Sequence, residues 1–495
     1  MSDKDYPQGD YANLDRLIKN LKASAIDAYM KSQGFTRSPN GYRSDKPNAP
    51  GTGTSSADVE VVSFPNADGE GGGDWSSPNP VWNWWSSSEQ SKSYKEAFAH
   101  VRKRIDDTVL SLTGLPDPES LESHIVSCRN ILSKLAASPQ VTDGMVQGVG
   151  DISSDVSSAN TNAAQMSGTT LENFKANFLS KLDKTVGGLY SATVVLGNGL
   201  AGEKSVLAET RRSVANALVS ADDACKKVAE SNGAALKVLI SILTSALSGV
   251  SGLFTGGVST ATVSASLLHV GLSVAKDLED PDQLFGGEGQ PVKNYEGAMS
   301  AFEGAFKEIK RQFKEAEGKI KQKLYDNVNS MKSDAHKEYF DLTLDSMHHS
   351  DIDDRGSADP SKNEAVIIQP DLVYAISNTY LPRVSSGLKD CSDNVDKLEM
   401  KVERGANVGA GHRGAAPAFE DLRVIVRQLL NDLGDEVSLA SSNLLYAVQD
   451  ILNTDANAST SINQAADQID NRNRKDPVTG DKHSNPWDYN PSLDW

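Results

Sequence analysis

The chain has 495 residues and carries 49 Lys+Arg against 67 Asp+Glu, a formal net charge of -18. An acid surplus of that size argues against nucleic acid as the main partner, because nothing in the balance answers a phosphate backbone. Three cysteines, Cys128, Cys225 and Cys391, stand far apart and match no metal or redox spacing, so they read as small buried residues.

The N-terminal MSDKDYPQGDYANLD has neither the basic nor the apolar region of a general secretory leader, which predicts no export by that route. Residues 11–30 suggest a short amphipathic helix, with Leu14, Leu17, Ile18, Leu21 and Ile26 as its apolar set. Residues 1–37 form this N-terminal segment. Residues 38–90 are rich in Ser, Gly, Pro, Asn and Asp, contain GEGGGDW, and read as a flexible, disordered arm. Inside the arm stands VWNWW. Large aromatics bury well and anchor interfaces, so Trp82, Trp84 and Trp85 are expected either to dock on the chain's own helices or to meet a partner.

Helical patterning begins near Tyr94 and opens an elongated bundle over residues 91–350. Phe98, Val101, Ile105, Val109 and Leu112 form one stripe; after GLPDPES, Leu121, Ile125, Cys128, Ile131, Leu132 and Leu135 form the next, with Pro118 suited to open it. A thinner seam of Met145, Val149, Ile152 and Val156 predicts a polar helix that runs into a turn at Met166-Ser167-Gly168. Beyond it Leu171, Phe174, Phe178, Leu182 and Leu189 share a helical face, which continues through Leu200, Val206, Val214, Leu218, Cys225 and Val228. Gly187-Gly188 and the glycines between Gly197 and Gly202 are expected weak points.

Val238 to Ala275 is the most apolar stretch, with no Asp, Glu, Lys or Arg between Lys237 and Lys276. It exceeds the roughly 20 residues a membrane helix needs, and Gly256-Gly257 suits a turn between two halves. It reads as a long apolar helical hairpin, either buried in the bundle, inserting into a membrane through residues such as Leu253, Phe254, Val263 and Leu267, or forming a self-association surface. A charged helix follows from Tyr295 to about Met347, its many Lys and Glu read as a solvated face. Residues 351–364 form a linker; the His348, His349, Asp351, Asp353 and Asp354 cluster around its start matches no ligand spacing, and no metal or cofactor is expected. Residues 365–470 read as helix, glycine-rich loop (GANVGAGHRGAAP), helix, with Pro382 placed to interrupt the first. Residues 471–495 read as a disordered tail. The expected fold is therefore all-α: an elongated antiparallel helical bundle with coiled-coil-like faces, a long apolar hairpin, a disordered N-terminal arm and a disordered C-terminal tail.

The segment around Met166-Ser167-Gly168 resembles the WXG100 substrates of type VII secretion and their longer EspB-like and PPE-like relatives. In that family a Trp-x-Gly turn joins two antiparallel helices; here Met166 takes the place of the tryptophan, and Gly168 that of the glycine. The resemblance implies an elongated helical protein, secreted or displayed at the cell surface, able to form homo-oligomers, and exported on a Tyr-x-x-x-Asp/Glu signal read by a secretion ATPase or chaperone. Tyr446/Asp450 matches that signal late in the second helix of the last module, the position the family uses. Tyr11/Asp15 and Tyr6/Asp10 match it in less suitable places, the latter across a proline and a glycine.

No catalytic motif stands in the chain: the glycines of GEGGGDW lack a following GK[ST] or βαβ setting, and no G-x-S-x-G, H-E-x-x-H or C-x-x-C occurs. A non-enzymatic function is expected. Three readings stand: a secreted structural or interaction protein that oligomerises through helical faces, a membrane-inserting or pore-forming effector using residues 238–275, and a non-exported intracellular or virion-associated scaffold.

Overall fold

The computed structural model describes residues 9–44, 60–66, 69–76, 80–136, 140–142, 145–147, 149–230, 236–238, 290–333, 340 and 368–453; at 80–90, 140–142, 145–147, 169–170, 236–238, 290–292, 448 and 450–453 only the backbone is described. Asp10 opens the first helical turn by accepting from the Ala12 N–H at 2.9 Å. Helix α1 (Leu14–Ser32) follows and ends where Gly34 takes φ +86°. Four short strands come next: β1 (Phe35–Ser38), β2 (Gly41–Ser44), β3 (Val61–Val62) and β4 (Trp75–Ser76), an antiparallel sheet in that order. Alternation puts Phe35, Tyr42, Val62 and Trp75 on one buried face. That face lies on α1 and on α2 (Pro80–Val109), where Phe35 meets Tyr94 edge-on at 5.7 Å and Tyr42 meets Phe98 at 6.2 Å.

Helix α3 (Glu122–Leu135) enters through a 3-10 turn begun by Pro118. A short ladder, β5 (Gln140–Thr142) with β6 (Met145–Gln147), leads to α4 (Asp151–Ala164). The chain then turns at Met166-Ser167-Gly168 into α5 (Thr169–Asn173), a π turn at Phe174–Leu179, and α6 (Ser180–Glu230). With 51 residues α6 is about 75 Å long at 1.5 Å per residue. Strands β7 (Leu236–Val238) and β8 (Gln290–Val292) pair before α7 (Tyr295–Met331), which Asn294 caps by accepting from the Gly297 N–H at 2.9 Å. The last module is α8 (Pro370–Ala375), a π turn at Ile376–Tyr380, α9 (Leu381–Asp396), a glycine-rich loop, and α10 (Ala416–Asn453).

The result is an elongated, mostly helical multi-helix bundle. Its axis is α6, which packs against α1, α3, α4, α7 and α10. Gly199 on α6 faces the Leu324 side chain on α7, and α10 lies antiparallel on α9, with the Ser385 hydroxyl donating to Gly434 O at 2.7 Å and the Ser392 hydroxyl to Arg427 O at 2.9 Å. Leu21, Phe98, Leu189, Phe313, Leu388 and Phe419, from six different helices, belong to one continuous buried cluster.

Several expectations are corrected. The fold is not all-α, because the supposedly disordered arm supplies three of the four strands. Counting apolar residues along 38–90 misses the effect of bringing Tyr42, Val62 and Trp75 onto one face beside Phe35. Its GEGGGDW stretch is an ordered turn: Gly69, Gly71, Gly72 and Gly73 all take positive φ, and the Arg102 guanidinium donates to Gly69 O at 2.6 Å and to Gly71 O. Helix α2 begins at Pro80, so VWNWW lies on its first turns; the Trp82, Trp84 and Trp85 side chains are outside the described residues. Met145 belongs to a strand rather than to the helix expected through it, and Val149 is exposed.

Among the described residues no helix is long and apolar enough to cross a membrane, so the expected membrane-interacting helical hairpin is not part of the described fold. Where the apolar stretch starts, Val238 pairs as a strand with Gln290; a continuous apolar run cannot be told helix from strand by periodicity. Leu253, Phe254, Gly256, Gly257, Val263 and Leu267 lie outside the described residues, as do the tail and the His348–Asp354 cluster. Two expected breaks are absent. Helix α6 runs unbroken through all its glycines. Pro382 sits in the first turn of α9, where the π turn before it widens the helix and Leu381 N–H bonds five residues back to Ile376 O.

Candidate functional site

The least ordinary chemistry in the body lies where α6, α7 and the α9–α10 loop meet. Glu203 comes from α6, at a helical step from Leu200, Val206 and Leu207, and Glu317 from α7, between Phe313 and Ile320. Both positions fall on buried faces, so the helical period forces two carboxylates into the core. Arg404 enters from the loop. The side chains of Glu203 and Glu317 are 0% exposed and that of Arg404 1%.

Arg404 is held on all sides. One Nη pairs with Glu317 Oε1, and the other approaches Glu203 Oε1 at 3.7 Å. Its Nε donates to Val408 O and Nη1 to Val402 O, each at 3.3 Å, while the guanidinium stacks 4.7 Å from the centre of the Phe313 ring. Glu317 Oε2 also accepts the Ala410 N–H at 2.6 Å. The Arg404 backbone is bound in turn: its N–H donates to His412 O at 3.1 Å, and the His412 ring Nδ1 meets its carbonyl.

The loop reaches this close because of its glycines. At Gly409 (φ +60°) a Cβ would overlap the Glu317 carboxylate; at Gly414 (φ +49°) it would stand 2.6 Å from Arg404 Nη2. Against this, Glu203 is poorly served. Neither of its oxygens has a hydrogen-bond partner among the described groups, and burial first, then the Glu317 charge, push its carboxyl well above the usual carboxylate range. From the sequence, the Glu residues of α7 read as a solvated face and GANVGAGHRGAAP as a plain loop. The available signal was a glutamate at a core position of each helix, which a buried cation or a retained proton must answer.

The surface sites lie elsewhere. Tyr446, on the last turns of α10, is 66% exposed, and Asp450 follows one helical turn later on the same helix, its side chain outside the described residues. Tyr11 is used internally instead: its hydroxyl donates to Leu112 O at 2.5 Å and accepts from the Leu115 N–H at 3.1 Å, and the Arg211 guanidinium lies 4.6 Å over its ring. Of the third match, Tyr6 is outside the described residues and Asp10 is the cap of the first turn. At the turn, Met166 is buried, Gly168 takes φ +136°, and Ser167 is half-buried.

Two surface grooves also lie among the described residues. One of 430 Å³ lies between α1, the sheet and the end of α6; its Asp27 is already taken by the Tyr42 hydroxyl at 2.5 Å and Arg37 at 2.6 Å. The other, of 440 Å³, lies between α3, α4 and α9, where Arg383 faces Asp155 at 3.9 Å and Lys134 faces Asp390 at 3.8 Å. Neither is lined by a histidine or cysteine. All three cysteines are buried and free, and burial pushes each thiol up to about 12, far from a reactive thiolate. Among the described residues no group of His, Cys, Asp or Glu is placed to hold a metal ion.

No family model matches the chain, and no curated protein or solved structure matches it either.

Proposed function

We propose that this chain is a non-enzymatic structural or interaction protein, exported by a type VII-like system and oligomerising through helical faces. The observation that carries the reading is the exposure of Tyr446. Of the tyrosines in its three Tyr-x-x-x-Asp matches, Tyr11 is locked into the fold and Tyr6 is not described, while Tyr446 offers its ring to solvent near the end of a long helix. A large half-apolar ring left two-thirds exposed gains nothing from burial in this chain, and at a helical spacing of four it shares a face with position 450. A secretion ATPase or its chaperone is the partner this proposal assigns to that face. The helix–turn–helix shape of α9 and α10, with the motif late in the second helix, fits the same reading.

The test is substitution of Tyr446 and Asp450 by alanine in a secreting host. The proposal expects the variant to be retained inside the cell while keeping the helicity and melting temperature of the parent, Tyr446 being exposed. Export at parental levels would remove Tyr446 and Asp450 as the signal. Retention of the unaltered chain in that host would leave a non-exported helical scaffold as the better account.

A further inference from the structure

Two carboxylates and one guanidinium are sealed together at the joint of α6, α7 and the α9–α10 loop. If all three were charged, the site would hold a net buried negative charge, which a low-dielectric interior strongly penalises. The geometry shows which group gives way. Arg404 Nη2 and the Ala410 N–H both serve Glu317, and Arg404 Nε and Nη1 go to carbonyls. Glu203 receives only the 3.7 Å approach of Nη1, with no hydrogen bond to either oxygen. A neutral acid at this place has an O–H to donate, and the Glu317 carboxylate, paired with the other Nη of the same guanidinium, is the neighbour able to accept it.

We propose that Glu203 is held as the neutral acid, hydrogen-bonded to Glu317, and that this proton makes the Glu203–Glu317–Arg404 cluster a pH-sensitive latch closing the α9–α10 loop onto α6 and α7. Deprotonation sends the proton to solvent and leaves two carboxylates against one guanidinium. Their repulsion then loosens the hold of Glu317 on Ala410 and of Arg404 on the loop. Burial first, then the Glu317 charge, raise the Glu203 carboxyl, and Arg404 opposes them less strongly. Ionisable neighbours in the loop and along α6 have partners of their own. From the loop, exposed His412 touches the Arg404 carbonyl. Next to Glu203, Lys204 is taken by Glu119 at 2.9 Å and Glu122 at 3.0 Å. Farther along α6, buried Glu209 lies 3.4 Å from Arg212 and is also raised by burial.

The sign is fixed by the direction of the shift. Above the usual value of 4.5 the folded state keeps a proton that the unfolded state has lost, so the stability linked to Glu203 is complete below that value and is lost as pH rises toward the raised one. One proton makes the unfolding constant rise by at most about tenfold per pH unit. The experiment is urea unfolding of the full chain and of Glu203→Gln across neutral pH, with His412→Gln as a control. Alongside it, the protonated-acid carbonyl stretch is recorded in the infrared, and the protection of the Ala410 amide is followed by hydrogen exchange. The ratio of wild-type to Glu203→Gln unfolding constants should climb with pH toward the tenfold-per-unit slope. The infrared band should be present at neutral pH and absent from Glu203→Gln, and Ala410 protection should fall as pH rises in the wild type alone. Parallel pH profiles for the two chains, or a pH response removed by His412→Gln instead, would overturn the latch. Should Glu203→Gln not fold, Glu209→Gln decides: a protonated-acid band that survives this change, together with Ala410 protection that falls as pH rises, upholds the proposal, and loss of either ends it.

Discussion

At the residue scale, the chain places its strictest demands on a few glycines of the α9–α10 loop. Gly409 has φ +60°, a conformation that costs other residues about 1–2 kcal/mol, and its missing side chain makes room for the Glu317 carboxylate. Gly409→Ala is therefore expected to destabilise the fold by more than that backbone cost alone, through displacement of Glu317 from Arg404 and Ala410. Gly411, also at positive φ (+117°), has no atom within reach of an added Cβ, so Gly411→Ala should cost only the backbone term. Equal losses in urea unfolding for the two variants would show that the Glu317 contact adds nothing. The glycines of this loop were visible in the sequence as a loop signal. Their function as a cradle was not, because the carboxylate they surround lies 92 positions before Gly409 and on another helix.

At the element scale, α6 shows why glycine in a helix has no single meaning. Glycine lowers helix propensity by about 1 kcal/mol relative to alanine, which is why a break was expected at Gly187-Gly188 and again between Gly197 and Gly202. The helix nevertheless continues, since its buried face packs along α1, α3, α4, α7 and α10, and tertiary burial outweighs local preference. Gly187 has open space where a Cβ would stand, while at Gly199 that Cβ would come 3.1 Å from the Leu324 side chain. Gly187→Ala is expected to raise stability by about 0.5–1 kcal/mol in thermal or urea unfolding. Gly199→Ala should fall short of that gain or reverse it, because α7 must shift to admit the methyl. If both variants gained equally, close packing of α6 on α7 at Leu324 would be ruled out. The π turn before Pro382 belongs to the same scale: the proline announced a break, and the wider turn lets the helix direction continue through it.

At the scale of the whole molecule, the buried cluster runs from Leu14 to Leu444 without a gap that would separate the N-terminal helix and sheet from the last module. Leu21 on α1 is fully buried in it. Leu21→Ala should cost about 2–5 kcal/mol from lost burial and the cavity left behind. Because the core is continuous, the loss is expected to lower one transition reported alike by Trp75 fluorescence at the sheet, read in a background with the other tryptophans replaced by phenylalanine, and by helical circular dichroism. A variant in which fluorescence melts early while the helical signal stays at its wild-type midpoint would show instead that α1 and the sheet unfold as a separate unit.

The sequence by itself determined most of the helices, because a helix that buries one face must repeat apolar residues at its own period. Phe98 to Leu112, Leu121 to Leu135 and Leu171 to Val228 are legible for that reason, and so is the turn at Gly168. It also determined that Tyr446 and Asp450 are one turn apart on a helix. Only the tertiary structure decided the rest. Phe35, Tyr42, Val62 and Trp75 make one face only when strands scattered along a polar stretch are paired, so the sheet was hidden in what looked like a disordered arm. The freedom of Tyr446 and the confinement of Tyr11 depend on which surfaces other helices cover. Glu203, Glu317 and Arg404 are unremarked charges in the sequence and one sealed cluster in the fold, because a charge acquires its protonation state from neighbours that only packing brings near.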